Sequence, residues 1–258
     1  MQIKRRHWAL QAGVRQPPPG CWWPILVCDT SAAPLIYLRP RNVYWHTPNA
    51  QLPRYTPSLS KNVIIHWFRQ DLRISDNPSL HAAAQQGHVL PVYIVDDVNA
   101  GEHQRGAASN AWLHESLSAL NKSLAGKLAL FVGDPEPILL ELAKRFAIKA
   151  VCWNRCYEPW RIARDRRIKA ALSAQNIHAQ SFNGSLLWEP WDVLKKDGTG
   201  YKVFTPYYRK GCLRAGVPRT IVPAPQPLKL YDDRANGLDL NDLGLLPAIN
   251  WHRGVLSS

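Results

Sequence analysis

The chain has 258 residues, of which 46% are hydrophobic and 20% charged, and its formal net charge at pH 7 is +13. This length suits one large domain or a medium domain with appendages, and the composition excludes a wholly disordered chain. Charge or proline interrupts each apolar stretch well before the roughly 20 residues of a membrane span, and no signal-peptide core follows the basic N-terminus. We therefore expect a globular chain without a membrane partner.

Charge and cysteine content further limit the class of protein to which the chain can belong. Residues 1–60 carry seven Lys and Arg against the single acid Asp29, and residues 61–258 carry 25 against 18. Such a surface suits contact with polyanions, but a merely soluble basic protein fits the same numbers. The five cysteines form no C-x-x-C pair and no zinc-ligand spacing. They favour free thiols, a reducing cytoplasmic location and no metal site.

Residues 1–61 form a first segment of irregular character. Residues 1–60 contain nine prolines and show neither a strand nor a helix period, so we expect mostly irregular structure. Four tryptophans in this stretch are unusual for a disordered tail. Two interpretations stay open: the segment packs on the following domain, or it is an extension of the reading frame upstream of the native start. The second is preferred.

From Asn62 onward, apolar strands alternate with amphipathic helices. The pattern predicts strands over residues 63–68, 88–95, 128–132, 148–153 and 177–182. It predicts helices over residues 78–86, 109–124, 135–146 and 160–175. Asn77-Pro78 and Asp134-Pro135 each supply a capping side chain followed by a proline at the first helical position.

Five strands separated by helices of this length predict right-handed crossovers and a doubly wound, Rossmann-like α/β domain over residues 62–183. Such sheets bind ligands beyond the carboxyl ends of their strands, where the strand order reverses. The loops at 69–76 and 154–160 are therefore the predicted site. Residues 184–258 lose the alternation and regain prolines, so we expect a long connector that leaves the sheet.

The loop after the first strand is the densest polar group in the chain. Arg69, Asp71 and Arg73 alternate there, and a carboxylate between two guanidiniums can hold both by paired hydrogen bonds. One arginine would then be available to a phosphate or carboxylate, although a purely structural tether between loops fits the spacing as well. No G-x-G-x-x-G, P-loop or hydrolase pattern occurs, so we predict no catalytic residue.

The segment Trp67 to Asn77 resembles the opening signature W-F-R-x-D-L-R-x-x-D-N of the photolyase/cryptochrome family, and it matches every fixed position. Further segments resemble the family in register, in a style close to bacterial cyclobutane-dimer photolyases. They are Trp112-Leu113-His114, Gly133-Asp134-Pro135, Trp153 to Pro159, Phe182 to Leu187, Trp188 to Trp191 and Tyr201 to Pro206. The resemblance covers residues 62 to about 256 and leaves residues 1–60 without a counterpart.

This resemblance implies an N-terminal domain that holds an antenna pigment, either methenyltetrahydrofolate or a deazaflavin. It implies that the intact protein binds FAD in a following helical domain and acts on damaged DNA as a light-driven lyase that repairs pyrimidine dimers. We expect the chain to end before that domain and to be inactive alone. Alternatives are a fragment of a cryptochrome blue-light photoreceptor and a stand-alone α/β module that binds a pigment or nucleotide. The sequence does not indicate an oligomeric state.

The resemblance also suggests residues for the pigment. His103 stands where folate-binding members have a pocket histidine, although an exposed loop histidine fits equally. The family's Asn-Glu folate contact is replaced by Trp160 and Arg161, which could stack on a flat pigment and pair with its acidic group. A structural role at the helix start is the competing and preferred interpretation of these two residues.

Overall fold

The computed structural model describes residues 62–231, 234, 237–249, 251 and 254. The predictions for residues 1–61 lie outside this range. Within it, the strands are β1 (Val63–Phe68), β2 (His88–Val95), β3 (Ala129–Val132), β4 (Ala150–Asn154) and β5 (His178–Phe182). The main helices are α1 (Pro78–Gln86), α2 (Ala107–Ser123), α3 (Pro135–Arg145) and α4 (Pro159–Ala174).

The five strands form one sheet in the order β3-β2-β1-β4-β5, and every neighbouring pair is parallel. Successive strands run outward from β1 to β3, and the chain then returns to place β4 on the other side of β1. The strand order therefore reverses between β1 and β4, which is where such sheets bind ligands. This confirms the predicted Rossmann-like fold.

Two apolar cores lie on opposite faces of the sheet. All six residues of β1 are buried, and alternate ones enter each core. Ile65 and Trp67 pack with Leu139 and Ile168 of α3 and α4, whereas the other face is covered by α1 and α2. The result is a doubly wound arrangement with β1 at its centre.

The predicted helix starts are confirmed by their caps. The Asn77 side chain accepts a hydrogen bond from the backbone N–H of Leu80 at 3.0 Å. Asp134 accepts one from Glu136 at 3.3 Å, and a proline opens each helix. Each cap provides an acceptor for an amide that has no partner inside its helix.

The segment after β5 behaves differently from the expectation that it leaves the sheet. Lys229 and Tyr231 exchange backbone hydrogen bonds of 2.8 Å with Val89 of β2. The N–H of Leu238 donates to the carbonyl of Leu130 on β3 at 2.7 Å. Leu243 is buried in the core that α1 and α2 cover. That expectation is corrected here: β3 is too short to cover the start of β2, and the returning chain takes its place. The assignment of residues 184–258 as a connector toward a further domain stays a prediction.

Among the described helices, none has the length and apolar character that crossing a bilayer requires. The described part of the chain also contains no group of three or more side chains arranged to hold a metal ion.

Candidate ligand-binding cleft

Asp71 forms a hub at the point where the strand order reverses. Its carboxylate accepts hydrogen bonds from the backbone N–H of Arg69 at 3.1 Å, from Asn77 at 3.1 Å and from Asn154 at 2.6 Å. Asn154 ends β4, and its amide also donates to the Asn77 oxygen at 2.8 Å. Side chains from the β1 loop, the start of α1 and the end of β4 are thereby joined by hydrogen bonds.

This hub corrects the prediction that Asp71 holds two guanidiniums. Within the described residues, Asp71 accepts no bond from the side chain of Arg69 or Arg73. The chain turns sharply here, since the N–H of Arg73 donates to the carbonyl of Asp71 at 2.7 Å, and the three side chains diverge. Arg73 instead bonds the carbonyl of Gly184 at 2.7 Å and that of Asp76. Arg73 is therefore the loop tether of the alternative interpretation.

Arg69 belongs to a buried set of four charges. Its Nη1 lies 2.6 Å from Asp165, which also accepts from Arg164 at 2.9 Å. Arg164 reaches Asp96, at the end of β2, at 2.9 Å. These four side chains are between 4% and 11% exposed and their charges cancel. Mutual pairing of this kind is what allows charges to be buried.

Both guanidiniums lie over the indole ring of Trp67. The central carbon of Arg69 is 5.0 Å from the ring centre and that of Arg164 is 4.9 Å away. Contacts of this geometry are attractive because the ring face carries partial negative charge. The indole and the paired carboxylates together fix the orientation of the two arginines.

His66 lies beneath the hub and is fully buried. Burial removes the ring from water and lowers its pKa to about 4, although the nearby carboxylate of Asp71 acts in the opposite direction and raises it. The ring is therefore neutral at physiological pH. Among the described residues, neither ring nitrogen makes a hydrogen bond of good geometry, although the nearby Asn77 side chain acts with Asp71 to raise the pKa, and the ring contacts Phe68 edge-on at 4.2 Å.

A cleft of about 560 Å³ opens above this floor. Its volume lies in the range of small-molecule sites. Its walls combine aromatic rings with cations. The aromatic, basic and acidic side chains that line it include Trp67, Tyr93, Trp112 and Trp160, the arginines Arg69, Arg73, Arg105, Arg161 and Arg164, and the acid Asp96.

The structure brings four of the six predicted residues to this cleft. Arg69, Arg73, Trp160 and Arg161 line it. Asp71 lies under the loop as the hub. His103 ends a single helical turn after β2, its side chain is 62% exposed, and it is absent from the cleft wall. Its pigment role stays a prediction that no contact supports.

Sequence reasoning missed the contribution of β2 and α2. Tyr93 lies near the end of β2, Asp96 directly follows that strand, and Trp112 lines the cleft from α2. The sequence pattern indicates only the loops beside the strand reversal, although the carboxyl end of β2 lies at the same edge of the sheet as that of β1. In the sequence, the acidic pair Asp96-Asp97 directly follows an apolar strand, and this pattern could have indicated that the end of β2 contributes to the cleft.

The fold and the cleft define a doubly wound α/β domain with a cleft of small-molecule size at the carboxyl edge of its sheet. The sequence profile described as DNA photolyase matches residues 64–227, which is more than half of the chain. The chain belongs to the DNA photolyase family.

Curated relatives include both photolyases and cryptochromes. The chain is 43% identical over 156 residues to a deoxyribodipyrimidine photo-lyase of Agrobacterium fabrum, an alignment that covers 59% of this chain and 32% of the relative. It is 33% identical over 194 residues to Cryptochrome-2 of Arabidopsis thaliana, covering 72% and 31%. The chain thus spans about a third of the length of these relatives.

Solved structures show the same domain. A class III photolyase from Agrobacterium tumefaciens matches with a TM-score of 0.69 at 34% identity, over 79% of this chain and 42% of that one. A cryptochrome from Synechocystis matches with a TM-score of 0.61 at 25% identity, over 74% and 42%.

Proposed function

We propose that this chain is the antenna domain of a deoxyribodipyrimidine photo-lyase and that its cleft holds the light-harvesting pigment. The observation that carries the proposal is the cleft itself, where flat indole rings and guanidiniums meet at the strand reversal. An aromatic wall suits a planar conjugated ring, and the cations suit its acidic group.

The residues of the cleft fit either pigment that the family resemblance implies. Trp160 lines the wall beside Arg161, whose guanidinium lies 4.8 Å from its ring centre. Methenyltetrahydrofolate and a deazaflavin both offer a flat ring system to such a surface. A pigment in this position would absorb light and pass the excitation to a flavin elsewhere in the intact protein.

The DNA repair step is proposed for the intact protein only. The chain covers 32% of the photo-lyase of Agrobacterium fabrum, so FAD binding and lesion binding are assigned to the remainder of such a protein. One solved relative, an archaeal photolyase from Sulfolobus tokodaii, is described as holding two FAD molecules with an implied novel light-harvesting cofactor. At 22% identity it shows the shared fold and no residue correspondence.

Pigment titration tests the proposal. The purified chain is mixed with methenyltetrahydrofolate or a deazaflavin, and binding is followed by the pigment's absorbance and fluorescence. We expect one pigment per chain and about tenfold weaker binding in W160A, because a stacking surface is lost. W191A is the matched control, since Trp191 is 58% exposed and does not line the cleft. Failure of both pigments to bind would overturn the proposal.

A cryptochrome is the second candidate, favoured by the identity to Cryptochrome-2 of Arabidopsis thaliana. The two functions differ in repair, and the repair step is assigned to the remainder of the intact protein, so the intact protein that contains this chain is assayed. Repair of thymine dimers under near-ultraviolet light supports the photolyase assignment. An intact protein that binds FAD and pigment without repairing dimers supports the cryptochrome assignment.

A further inference from the structure

Arg69 is only partly satisfied by its protein contacts. Its Nη1 bonds Asp165, but its Nε and Nη2 are buried and have no hydrogen-bond partner among the described residues. The side chain is 4% exposed and lines the cleft. A buried guanidinium N–H without an acceptor is costly, so a group that accepts these hydrogen bonds would be held tightly.

The start of α4 provides further donors in the same cleft. This helix has 16 residues, and its cap residue Glu158 accepts no hydrogen bond from the first turn through its side chain. Trp160 and Arg161 of that turn line the cleft. The first-turn amides and the helix dipole both favour an anion in this position.

Arg161 is paired more loosely than Arg69. Its Nε is buried and makes no hydrogen bond to a described residue, although it forms an ion pair with Glu158 at 3.6 Å, and its Nη1 donates to the sulfur of Cys156 at 3.4 Å. The other cations of the cleft are engaged: Arg164 bonds Asp96 and Asp165, Arg105 bonds Asp97, and Arg73 bonds two carbonyls. In the described part of the chain, Arg69 and Arg161 are thus the cleft arginines with buried N–H groups that make no hydrogen bond, two on Arg69 and one on Arg161.

We propose that the cleft binds its ligand through an anionic group, a phosphate or a carboxylate, seated between Arg69 and the first turn of α4. The ring system of the ligand then lies against Trp160. This inference rests on the proposed function and adds to it: pigments with an acidic tail bind this chain, and counterparts that lack the tail bind it weakly.

Matched ligand pairs test the anionic subsite by titration calorimetry. FMN and riboflavin share one ring system and differ by a phosphate. Methenyltetrahydrofolate and methenyltetrahydropteroate differ by the glutamate carboxylates. We expect the acidic member of at least one pair to bind about tenfold to a hundredfold more tightly than its partner, because charge-assisted hydrogen bonds are the strong ones.

Substitutions assign that preference to residues. R69Q should bring the acidic and neutral members of a pair to within about twofold of each other, since the positive charge and the guanidinium N–H groups are lost. R166Q is the matched control, because Arg166 is exposed on the same helix and does not line the cleft. It should keep the full preference. If R69Q does not fold, as judged by circular dichroism, R161Q at the less buried position carries the same comparison.

The outcomes separate the two proposals. Equal binding of both members of each pair leaves the pigment function standing and overturns the anionic subsite. If no flavin or folate binds, the pigment function fails, and inorganic pyrophosphate becomes the probe. Pyrophosphate binding that R69Q removes retains the subsite for another ligand. Lack of pyrophosphate binding, or binding that R69Q leaves unchanged, overturns it.

Discussion

At the level of single residues, His66 shows how the core under the cleft depends on pH. Its pKa falls from 6.5 to about 4 because the ring is removed from water. The unfolded chain therefore takes up a proton between pH 6.5 and about 4 while the folded chain does not, so protonation favours unfolding. Stability that is present above pH 6.5 is lost as the pH falls through this window.

Replacing His66 should remove this acid sensitivity. Wild type should lose up to about 3 kcal/mol of unfolding free energy between pH 6.5 and 4 through this residue. H66L lacks the titrating ring and should show a shallower decline in denaturant unfolding across the same range. H103Q is the control, since His103 is 62% exposed, and its decline should match wild type. An H66L profile parallel to wild type would contradict the assignment.

Replacing Asp165 should lower the unfolding free energy of the chain. Asp165 pairs with both Arg69 and Arg164 in a buried setting, so D165N leaves two buried guanidiniums with a weaker acceptor. Loss of one partner in a buried ion pair costs about 3 to 5 kcal/mol, and we expect a loss of about 3 kcal/mol in urea unfolding.

E136Q is the control variant for D165N. Glu136 also pairs with an arginine of α4, but that partner, Arg167, is 48% exposed. Solvent screens such a pair, so E136Q should cost less than about 1 kcal/mol. Similar losses in D165N and E136Q would show that the buried set contributes no more than a surface pair.

At the level of secondary-structure elements, the returning C-terminal segment is part of the folded domain. Leu243 is 6% exposed in the core covered by α1 and α2, whereas the nearby Leu246 is 39% exposed. L243A should therefore destabilise the chain by about 2 to 5 kcal/mol, and L246A by less than about 1 kcal/mol. Thermal and urea unfolding measure both. An L243A variant as stable as L246A would mean that the segment is not part of the cooperative fold.

Periodicity and caps predicted the order along the chain and the type of every strand and main helix from β1 to β5, because the helices bury one apolar face and the central strands are short apolar runs buried on both faces. Boundaries after the helices were less predictable. Three helices are followed by a residue with a left-handed backbone, at Ala125, Ala147 and Asn176. Alanine gives no signal for that conformation, since it carries the usual steric cost there. The strand predicted from Ile148 accordingly begins at Ala150.

The candidate site was predictable only to the level of its loops. The strand reversal identified the loop that carries Arg69 and Arg73, because local alternation shows which strands end at that edge, whereas Trp160 and Arg161 were suggested by the family resemblance. The partners Asp96 and Asp165 were not identified. Asp165 is 96 residues from its partner Arg69, and Asp96 is 68 residues from its partner Arg164, and single-sequence patterns carry no information about such long-range pairing.

At the level of the whole molecule, the positive charge should produce weak and lesion-independent DNA contact. Residues 61–258 carry 25 basic and 18 acidic side chains. We expect fluorescence anisotropy to show binding to duplex DNA that weakens steeply as salt rises, because it depends on counterion release. Duplexes with and without a thymine dimer should bind equally. Preferential binding of the dimer would show that this domain recognises the lesion itself.

The hub around Asp71 has a consequence for how light energy would travel. Excitation transfer depends on the angle between the transition dipoles of donor and acceptor as well as on their separation. A ring resting on a floor tied to β1, α1 and β4 keeps one direction in space instead of averaging over many. The amide of Asn154, which takes part in no reaction, would then help to set the quantum efficiency of energy transfer from the bound pigment.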